Sequence, residues 1–409
     1  MYKITKPVKL IELFAGIGSQ AKALENLGVN FERYRVVEFD KYAIKSYNAV
    51  HKEDFPVLDI TEIHGKDLGI NKTDAYEYIL TYSFPCQDLS NAGKQGGMGK
   101  GTGTRSGLLW EVERLLNECD ELPQVLLMEN VPQVHSEKNM EDFNKWCEAL
   151  ESMGYNNFWN DLNAKDYGIP QNRKRCFMVS ILNGEYEFPK PFKLEKRLVD
   201  LLEEEVEDKF YLSEKCINGF IKHNEKHKEK GTGFIWEPTD VNGYAKCLRA
   251  NSALCPTDNT ILQPCIVSNY GKNIDHTCEI ANTLMARDYK GFGNQSMNAV
   301  VVREATKKGY AEAYEGDAIN FERPNSKTRR GRVGKQVAHT LQTTCNQCVV
   351  VKDELRIRKL TPLECWRLMG FSDEDFYKAQ EVNSNTQLYK QAGNSIVVNV
   401  LEEIFKQMF

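Results

Sequence analysis

One cysteine in this chain has the company that a nucleophile needs. Cys86 follows the apolar run YEYILTYSF and Pro85, and Gln87 and a glycine-rich stretch come after it. The thiol therefore stands at the carboxyl end of a predicted strand, the edge at which open parallel sheets bind ligands, with a loop beside it that is able to close over a substrate. The other cysteines lack such surroundings and read as small buried hydrophobes. Glu129 ends a second apolar run, PQVLLME, and is followed by Asn130 and Val131, so its carboxyl faces the same edge. By itself such a glutamate reads equally as a solvated side chain or a helix cap. Gln171, Arg173 and Arg175 alternate on entry to the run RCFMVSIL. Alternate residues of a strand share a face, so these three long donors suit an oxygen-rich ligand or an ion-paired sheet edge.

LIELFAGIGSQA reads as a buried strand entering a glycine turn and then a helix, with Gly16, Gly18 and Ala21 in the G-x-G-x-x-G/A spacing. Glu38 ends the apolar segment RVVE, at the distance where a carboxylate accepts ribose hydroxyls, and Asp59 in VLDI, near the end of a third predicted strand, suits an adenine amino group. The spacing alone serves NAD, FAD or S-adenosylmethionine equally. Cys345 and Cys348 have the separation of a zinc pair but no second pair or histidines nearby, so packing is preferred and no metal is expected.

These groups must be held by a framework, and the text around them supplies one. From Val8 to about Phe188, short apolar runs alternate with amphipathic stretches such as SQAKALENLG and SGLLWEVERLL, the rhythm of βαβ units around a parallel sheet. After Pro189 an acidic run, LLEEEVEDKF, marks a boundary. Residues 209–355 are rich in Gly and Asn, show no long helical period, and repeat an Ala-x-Thr/Cys-Leu segment from Ala245, Ala281 and Ala338, which predicts repeated strand pairs. Helical spacing returns in TPLECWRLMGF and in QLYKQAGNSIVVNVLEEIFKQMF, the latter read as one amphipathic terminal helix. A chain of 409 residues needs at least two domains, and its 41% hydrophobic and 27% charged composition is that of a soluble protein without a membrane span. No secretory signal opens the chain, so a cytoplasmic location with reduced thiols is expected. The net charge of -5 gives no global sign of a nucleic-acid partner, yet Arg323, Lys327, Arg329, Arg330, Arg332 and Lys335 crowd one segment against Glu322 alone. Such a run suits phosphates, or is a solvated loop.

Six blocks in order, FAGIG, Pro85-Cys86-Gln87, Glu129-Asn130-Val131, Gln171-x-Arg173-x-Arg175, RKLTPLECWRLMGF and QAGNSIVVNVL, resemble those of DNA cytosine-5 methyltransferases of the bacterial or phage restriction-modification type. The resemblance covers residues 8 to about 189 and 356 to 409; the stretch between is similar to the family's target-recognition region only in texture. Glu12 stands in place of the more usual Asp, and Ser19 in place of the second glycine of the usual Gly-Gly pair.

The resemblance implies an α/β fold: a Rossmann-like S-adenosylmethionine-dependent methyltransferase domain, residues 1–189 with 385–409, and a smaller β-rich target-recognition domain, residues 190–384, variable over 209–355 and returning over 356–384. It implies catalysis by Cys86, Glu129, Arg173 and Arg175. Leu13, Phe14, Ala15, Gly16, Gly18, Glu38, Phe39, Asp59, Ile60, Pro85, Leu108, Asn394 and Ser395 would hold S-adenosylmethionine. Gln87, Ser90, Gln171, Arg329 and Arg330 would meet the DNA, and a loop from about Ser90 to Arg105 would close on it. The expected partner is double-stranded DNA, read by a monomer, with a cognate restriction endonuclease as a candidate second partner. A branch that methylates transfer RNA is the nearest rival; the long β-rich insertion with its arginines suits a duplex major groove better. A nicotinamide oxidoreductase would leave Cys86 and Glu129 without a task, and the intact Cys86, Glu129 and Arg175 set argues against a non-catalytic DNA-binding protein.

Overall fold

The computed structural model describes residues 1–89, 96–231, 233–250, 254–265, 300–303, 310–313, 318–320, 333–334, 347–349 and 354–409. Its centre is a six-stranded sheet built from β1 (Val8–Leu13), β2 (Phe31–Val37), β3 (Glu77–Tyr82), β4 (Val125–Asn130), β5 (Tyr155–Asn163) and, after the two-residue β6 (Gln171–Asn172), β7 (Lys174–Leu182). The strand order is β2-β1-β3-β4-β7-β5. The first four strands run parallel. β7 enters antiparallel between β4 and β5, so the expected parallel sheet carries an antiparallel edge. Because chain order reverses between β1 and β3, the carboxyl ends of these two central strands flank the crevice where such sheets take ligands.

Both faces of the inner strands β1, β3, β4 and β7 are covered, which is why these are largely apolar runs, whereas the edge strands β2 and β5 are more polar. Along β1, Val8 and Leu10 join one core and Ile11 and Leu13 the other. β4 repeats the period-two split, with Val125 and Leu127 opposite Leu126 and Met128. One core is closed by α1 (Ser19–Asn26) and by α9 (Val398–Lys406), through Ala21, Leu24, Leu401, Ile404 and Phe405. The other is closed by α3 (Leu109–Asn117) and α4 (Met140–Ser152), through Leu109, Val112, Phe143 and Trp146. Helix α2 (Lys41–His51) follows β2 and lays Ile44 and Tyr47 against Val36.

Three readings of the sequence need correction. VLDI is not a strand: residues 56–60 form a loop, pinned where Leu58 N–H donates to the Glu38 carbonyl at 3.0 Å. Residues 209–355 do contain a long helix, α5 (Glu214–Lys230), capped by Ser213 at its start and Gly231 at its end. Its apolar stripe is narrow, and it is held by Phe220 against Trp236 at 5.0 Å and by Asn224, whose side-chain amide donates to the Trp236 carbonyl and accepts from the Trp236 N–H, both at 2.6 Å. The terminal amphipathic stretch is two helices, α8 (Asn385–Asn394) and α9, because Ser395 to Val397 are extended. The hydrophobic spacing carries on through that break and so concealed it.

Chain packing divides at Leu262 and Ile357. The larger unit, 1–262 with 357–409, therefore holds α5, the short β8 (Ala245–Lys246) that pairs parallel with β6, and the helices α6 (Pro362–Arg367), α7 (Asp373–Val382) and α8. Residues 190–262 and 357–384, assigned from the sequence to a recognition domain, thus pack with the sheet: Leu198, Leu248, Trp366 and Phe376 are members of its core. The smaller unit, 263–356, shows only strands among its described residues. Val300–Arg303 pairs antiparallel with Tyr310–Ala313, and Ala318–Asn320 lies between Val333–Gly334 and Gln347–Val349. The valine run that ends the second sequence echo falls on the strand Val300–Arg303, and Val349, the first valine of the third echo's run, ends the strand Gln347–Val349.

Candidate active site

The glycine turn is moulded from below. Phe14, directly after β1, has φ +56°, a left-handed conformation uncommon for a residue with a side chain. Gly16 and Gly18 follow at φ +58° and +80°. The Ala15 N–H donates to the Val37 carbonyl at 3.2 Å and Gly16 N–H to Glu38 Oε2 at 3.0 Å, which ties the turn to the end of β2. The other Glu38 oxygen accepts from Asp40 N–H at 2.8 Å. Each oxygen keeps a lone pair for a hydroxyl donor. Burial raises the Glu38 carboxyl above its ordinary value, against those backbone donors.

Glu12, wholly buried under the turn, accepts from Tyr47 Oη at 2.5 Å and from Ala21 N–H at 3.3 Å. The longer side chain at this position is thus fully engaged. Ser19, the other departure, pairs its hydroxyl with that of Ser395 at 2.7 Å. Space over Gly16 is open, since a Cβ there would meet nothing within 4 Å. Next to Glu38 the Phe39 ring is 72% exposed, and Asp59 lies in the adjoining loop with Ile60 buried behind it. A glycine turn with open space above it, a buried carboxylate with free lone pairs and an uncovered ring fit an adenosine-bearing ligand. Asp59 Oδ1 already accepts from Thr61 N–H at 3.0 Å and Thr61 Oγ1 at 2.8 Å, leaving Oδ2 for a ligand. Leu108 ends a short 3-10 turn strapped to the Pro85-Cys86 segment by Ser106 Oγ, which donates to the Pro85 carbonyl at 2.7 Å. Asn394 is exposed at the end of α8, and Ser395 is buried behind it.

The thiol side stands at the neighbouring strand ends. Cys86 is half-buried, and burial with the nearby Glu129 carboxyl raises its thiol, while Arg175 and Arg173 pull it down. Glu129, 8% exposed at the end of β4, is raised by burial and opposed chiefly by Arg175. The pairing of Asn130 with Cys176 in the β4–β7 ladder brings Arg175 alongside, and its Nε lies 3.3 Å from Glu129 Oε1. Asn130 Nδ2 donates to the Phe84 carbonyl at 2.9 Å and so fixes the Pro-Cys segment against the strand that carries Glu129. Three groups are thereby gathered: a thiol, a carboxyl raised by burial, and a guanidinium beside it.

A family model described as C-5 cytosine-specific DNA methylase matches residues 8–409. This chain belongs to that family. It is a DNA (cytosine-5-)-methyltransferase, and its relatives include phage and bacterial enzymes. The methyltransferase is 32% identical to the orphan methyltransferase M.SPRI of Bacillus phage SPR, over 98% of this chain and 97% of the relative. It is 29% identical to the type II methyltransferase M2.ScrFI of Lactococcus lactis subsp. cremoris, over 98% and 99%. Its fold is similar to that of the S. pombe Dnmt2 methyltransferase, with TM-score 0.60 and 18% identity over 98% of this chain and 97% of that one.

Within the methyltransferase, not every expected site residue faces the crevice. Gln171, Arg173 and Arg175 share a face as their alternation requires, but that face is roofed by the segments 247–250, 368–369 and 393–395. Gln171, fully buried, donates to the Leu368 carbonyl at 2.8 Å and accepts from Leu248 N–H at 3.2 Å. Arg173 donates to the carbonyls of Leu248 at 3.1 Å, Gly393 at 3.0 Å and Ser395 at 2.7 Å. Both hold the chain together, and Arg175 alone of the three reaches Glu129. Gln87 is exposed and accepts from Arg105 Nη1 at 2.8 Å. Ser90, Arg329 and Arg330 lie outside the described residues, as do most of the basic segment and Cys345.

Sequence reasoning gave no task to Asn130, although it lay inside a recognised block, nor to Asp88. Asp88 Oδ2 accepts from Arg105 N–H at 2.8 Å and Ser106 N–H at 3.3 Å, holding residues 105–106 to the segment that carries Cys86. Among the described residues, His135, Asp161 and Cys176 are close enough to share a cation. Asp161 is already paired with His135 at 2.9 Å and Lys174 at 3.1 Å, however, and burial holds the Cys176 thiol far above its ordinary range.

Proposed function

We propose that this methyltransferase modifies carbon 5 of a cytosine flipped out of a specific duplex DNA sequence, through a covalent bond from Cys86 to carbon 6. The observation that carries this reading is the convergence of Cys86, Glu129 and Arg175 at the strand ends beside the glycine turn. Cytosine carbon 5 is a poor nucleophile until its ring loses aromaticity, and thiolate addition at carbon 6 achieves that. The displaced electron pair moves towards ring nitrogen 3. Glu129, whose carboxyl burial raises, donates there in its protonated form and accepts from the 4-amino group, while Arg175 holds the 2-carbonyl oxygen. S-adenosylmethionine, held by the glycine turn, Glu38 and Phe39, supplies an electrophilic methyl group when bound. With carbon 5 alkylated, its proton leaves to water, the Cys86–carbon 6 bond breaks and the ring regains aromaticity.

The thiol must approach the face of the ring, so the base leaves the stack at a cost of a few kcal/mol. Specificity is assigned to the insertion between Phe210 and Glu354, with Arg329 and Arg330 on phosphates or guanines, since a catalytic scaffold shared across a family does not itself select a sequence. A monomeric enzyme in the cytoplasm, with or without a cognate endonuclease, completes the reading. A duplex carrying 5-fluorocytosine at the target has no carbon 5 proton to lose and should trap a Cys86-linked complex, visible by mass spectrometry. Cys86→Ser should form none. Methyl transfer by Cys86→Ser at a tenth of the wild-type rate or better would end the covalent reading, and preferred methylation of transfer RNA would transfer the same chemistry to the RNA branch.

A further inference from the structure

Arg173 and Arg175 project from one face of the strand entry, and two guanidinium groups so close together repel. Arg173 binds backbone carbonyl oxygens, and Arg175 meets Glu129 through Nε only. What they share is the sulfur of Cys247. Arg173 Nη1 lies 3.4 Å from Cys247 Sγ and Arg175 Nη2 lies 3.6 Å from the same atom. Cys247 follows β8, whose pairing with β6 aligns Lys246 with Asn172 and delivers the thiol to this place. Arg173 also grips the Leu248 carbonyl, and a Cβ on Gly393 would sit 2.3 Å from Ala250 N, so the segment is closely confined.

We propose that Cys247 is a positioning residue for methyl transfer, its sulfur bridging the two guanidinium groups and holding Arg175 in the orientation that presents it beside Glu129. The inference rests on the reaction assigned to Cys86, Glu129 and Arg175. A sulfur between two cations is also the one place among the described cysteines where a thiol is drawn below its ordinary value, with Arg173 and Arg175 overcoming burial. Glu129 has to be neutral when it donates to the ring, and in that state Arg175 loses its carboxylate partner. Cys247 then remains to restrain its Nη2, as the Lys174 carbonyl, which accepts from Nη1 at 2.7 Å, restrains the other arm.

Full-length Cys247→Ala and Cys247→Ser should be compared with the wild type for DNA affinity, cofactor affinity, thermal midpoint and single-turnover methylation with both ligands saturating. Cys247→Ala should methylate at least tenfold more slowly with both affinities within twofold, and Cys247→Ser, which keeps a hydrogen-bond acceptor, should recover a measurable part of the loss. A Cys247→Ala rate within twofold of wild type would overturn the proposal. So would a loss confined to affinity or folding with an unchanged rate per bound complex. If Cys247→Ala does not fold, the Cys247→Ser rate decides, a wild-type value with unchanged salt and cofactor dependence counting against positioning. Cys86→Ser run alongside separates the two claims: its activity would sink the reaction assignment, whereas an inert Cys86→Ser with a fully active Cys247→Ala would sink only the role of Cys247.

Discussion

At the scale of single residues, the two turn glycines face different constraints. A methyl group on Gly18 would lie 2.3 Å from His51 Nε2 and 2.7 Å from Tyr47 Cε2, both in buried rings, whereas on Gly16 it meets open space. Gly18→Ala should therefore cost on the order of 3 kcal/mol or more of stability, seen as a lower urea midpoint. Gly16→Ala should cost only about 1 to 2 kcal/mol for its left-handed backbone and should instead weaken S-adenosylmethionine binding, seen by calorimetry. Glu129 offers a prediction in pH. Its carboxyl is raised, and the proposed reaction uses its protonated form, present below its pKa; the Cys86 thiol is also raised, and the same reaction uses the thiolate, present above its pKa. Between the two values a gain in thiolate is cancelled by loss of the acid, so log kcat/KM should be level with pH there. Glu129→Gln removes only the second limb. It should lower the rate by roughly 100-fold or more and make log kcat/KM climb by about one per pH unit over the range that is flat in the wild type. A flat profile for the variant would remove Glu129 as the acid. The thiol and the acid were legible in the sequence because each ends an apolar run. The task of Arg173 was not, since alternation says which side chains share a face and nothing of what covers it.

At the scale of elements, the segment that returns from the insertion is anchored by a fully buried ion pair. Arg358, on the strand Glu354–Lys359, meets Glu364 of α6 with Nη2 to Oε1 at 2.7 Å and Nη1 to Oε2 at 2.8 Å. Glu364 also accepts from Thr361 N–H and Glu203 N–H, both at 2.8 Å, so one carboxylate joins the helix cap, the linker and the strand. Arg358→Met leaves that charge buried without its cation and should cost about 3 to 5 kcal/mol, read from the urea midpoint; adding Glu364→Gln should return part of it. An unchanged midpoint in Arg358→Met would show that the hydrogen bonds suffice. Elements with two buried faces, such as β1 and β4, could be read directly from their apolar runs. Helix α5 could not, because its few apolar residues sit among five lysines and its fixing contact, Phe220 on Trp236, is made with a segment outside it.

At the scale of the whole molecule, the catalytic sheet depends on chain from beyond the insertion. The hydroxyls of Ser19 and Ser395 meet across 376 residues, Lys22 of α1 pairs with Asp375 of α7 at 2.8 Å, and Ile4 N–H reaches the Met408 carbonyl at 2.8 Å. A protein ended at residue 384 should therefore lose cooperative unfolding and purify as aggregate, with its catalytic thiol intact but unorganised; a sharp thermal transition in that fragment would refute this dependence. The same distance along the chain is also a duration. At about 5 to 20 residues per second, the ribosome takes roughly 20 to 75 s between making Ser19 and making Ser395. Throughout that interval Arg173 has no Gly393 or Ser395 carbonyl to grip, and the apolar side of α1 has no α9 to cover it. The nascent chain can therefore neither hold its glycine turn firmly nor order Arg173, so methylation should begin only once the 393–405 stretch has been made and packed, and holding chaperones should find the waiting sheet until then.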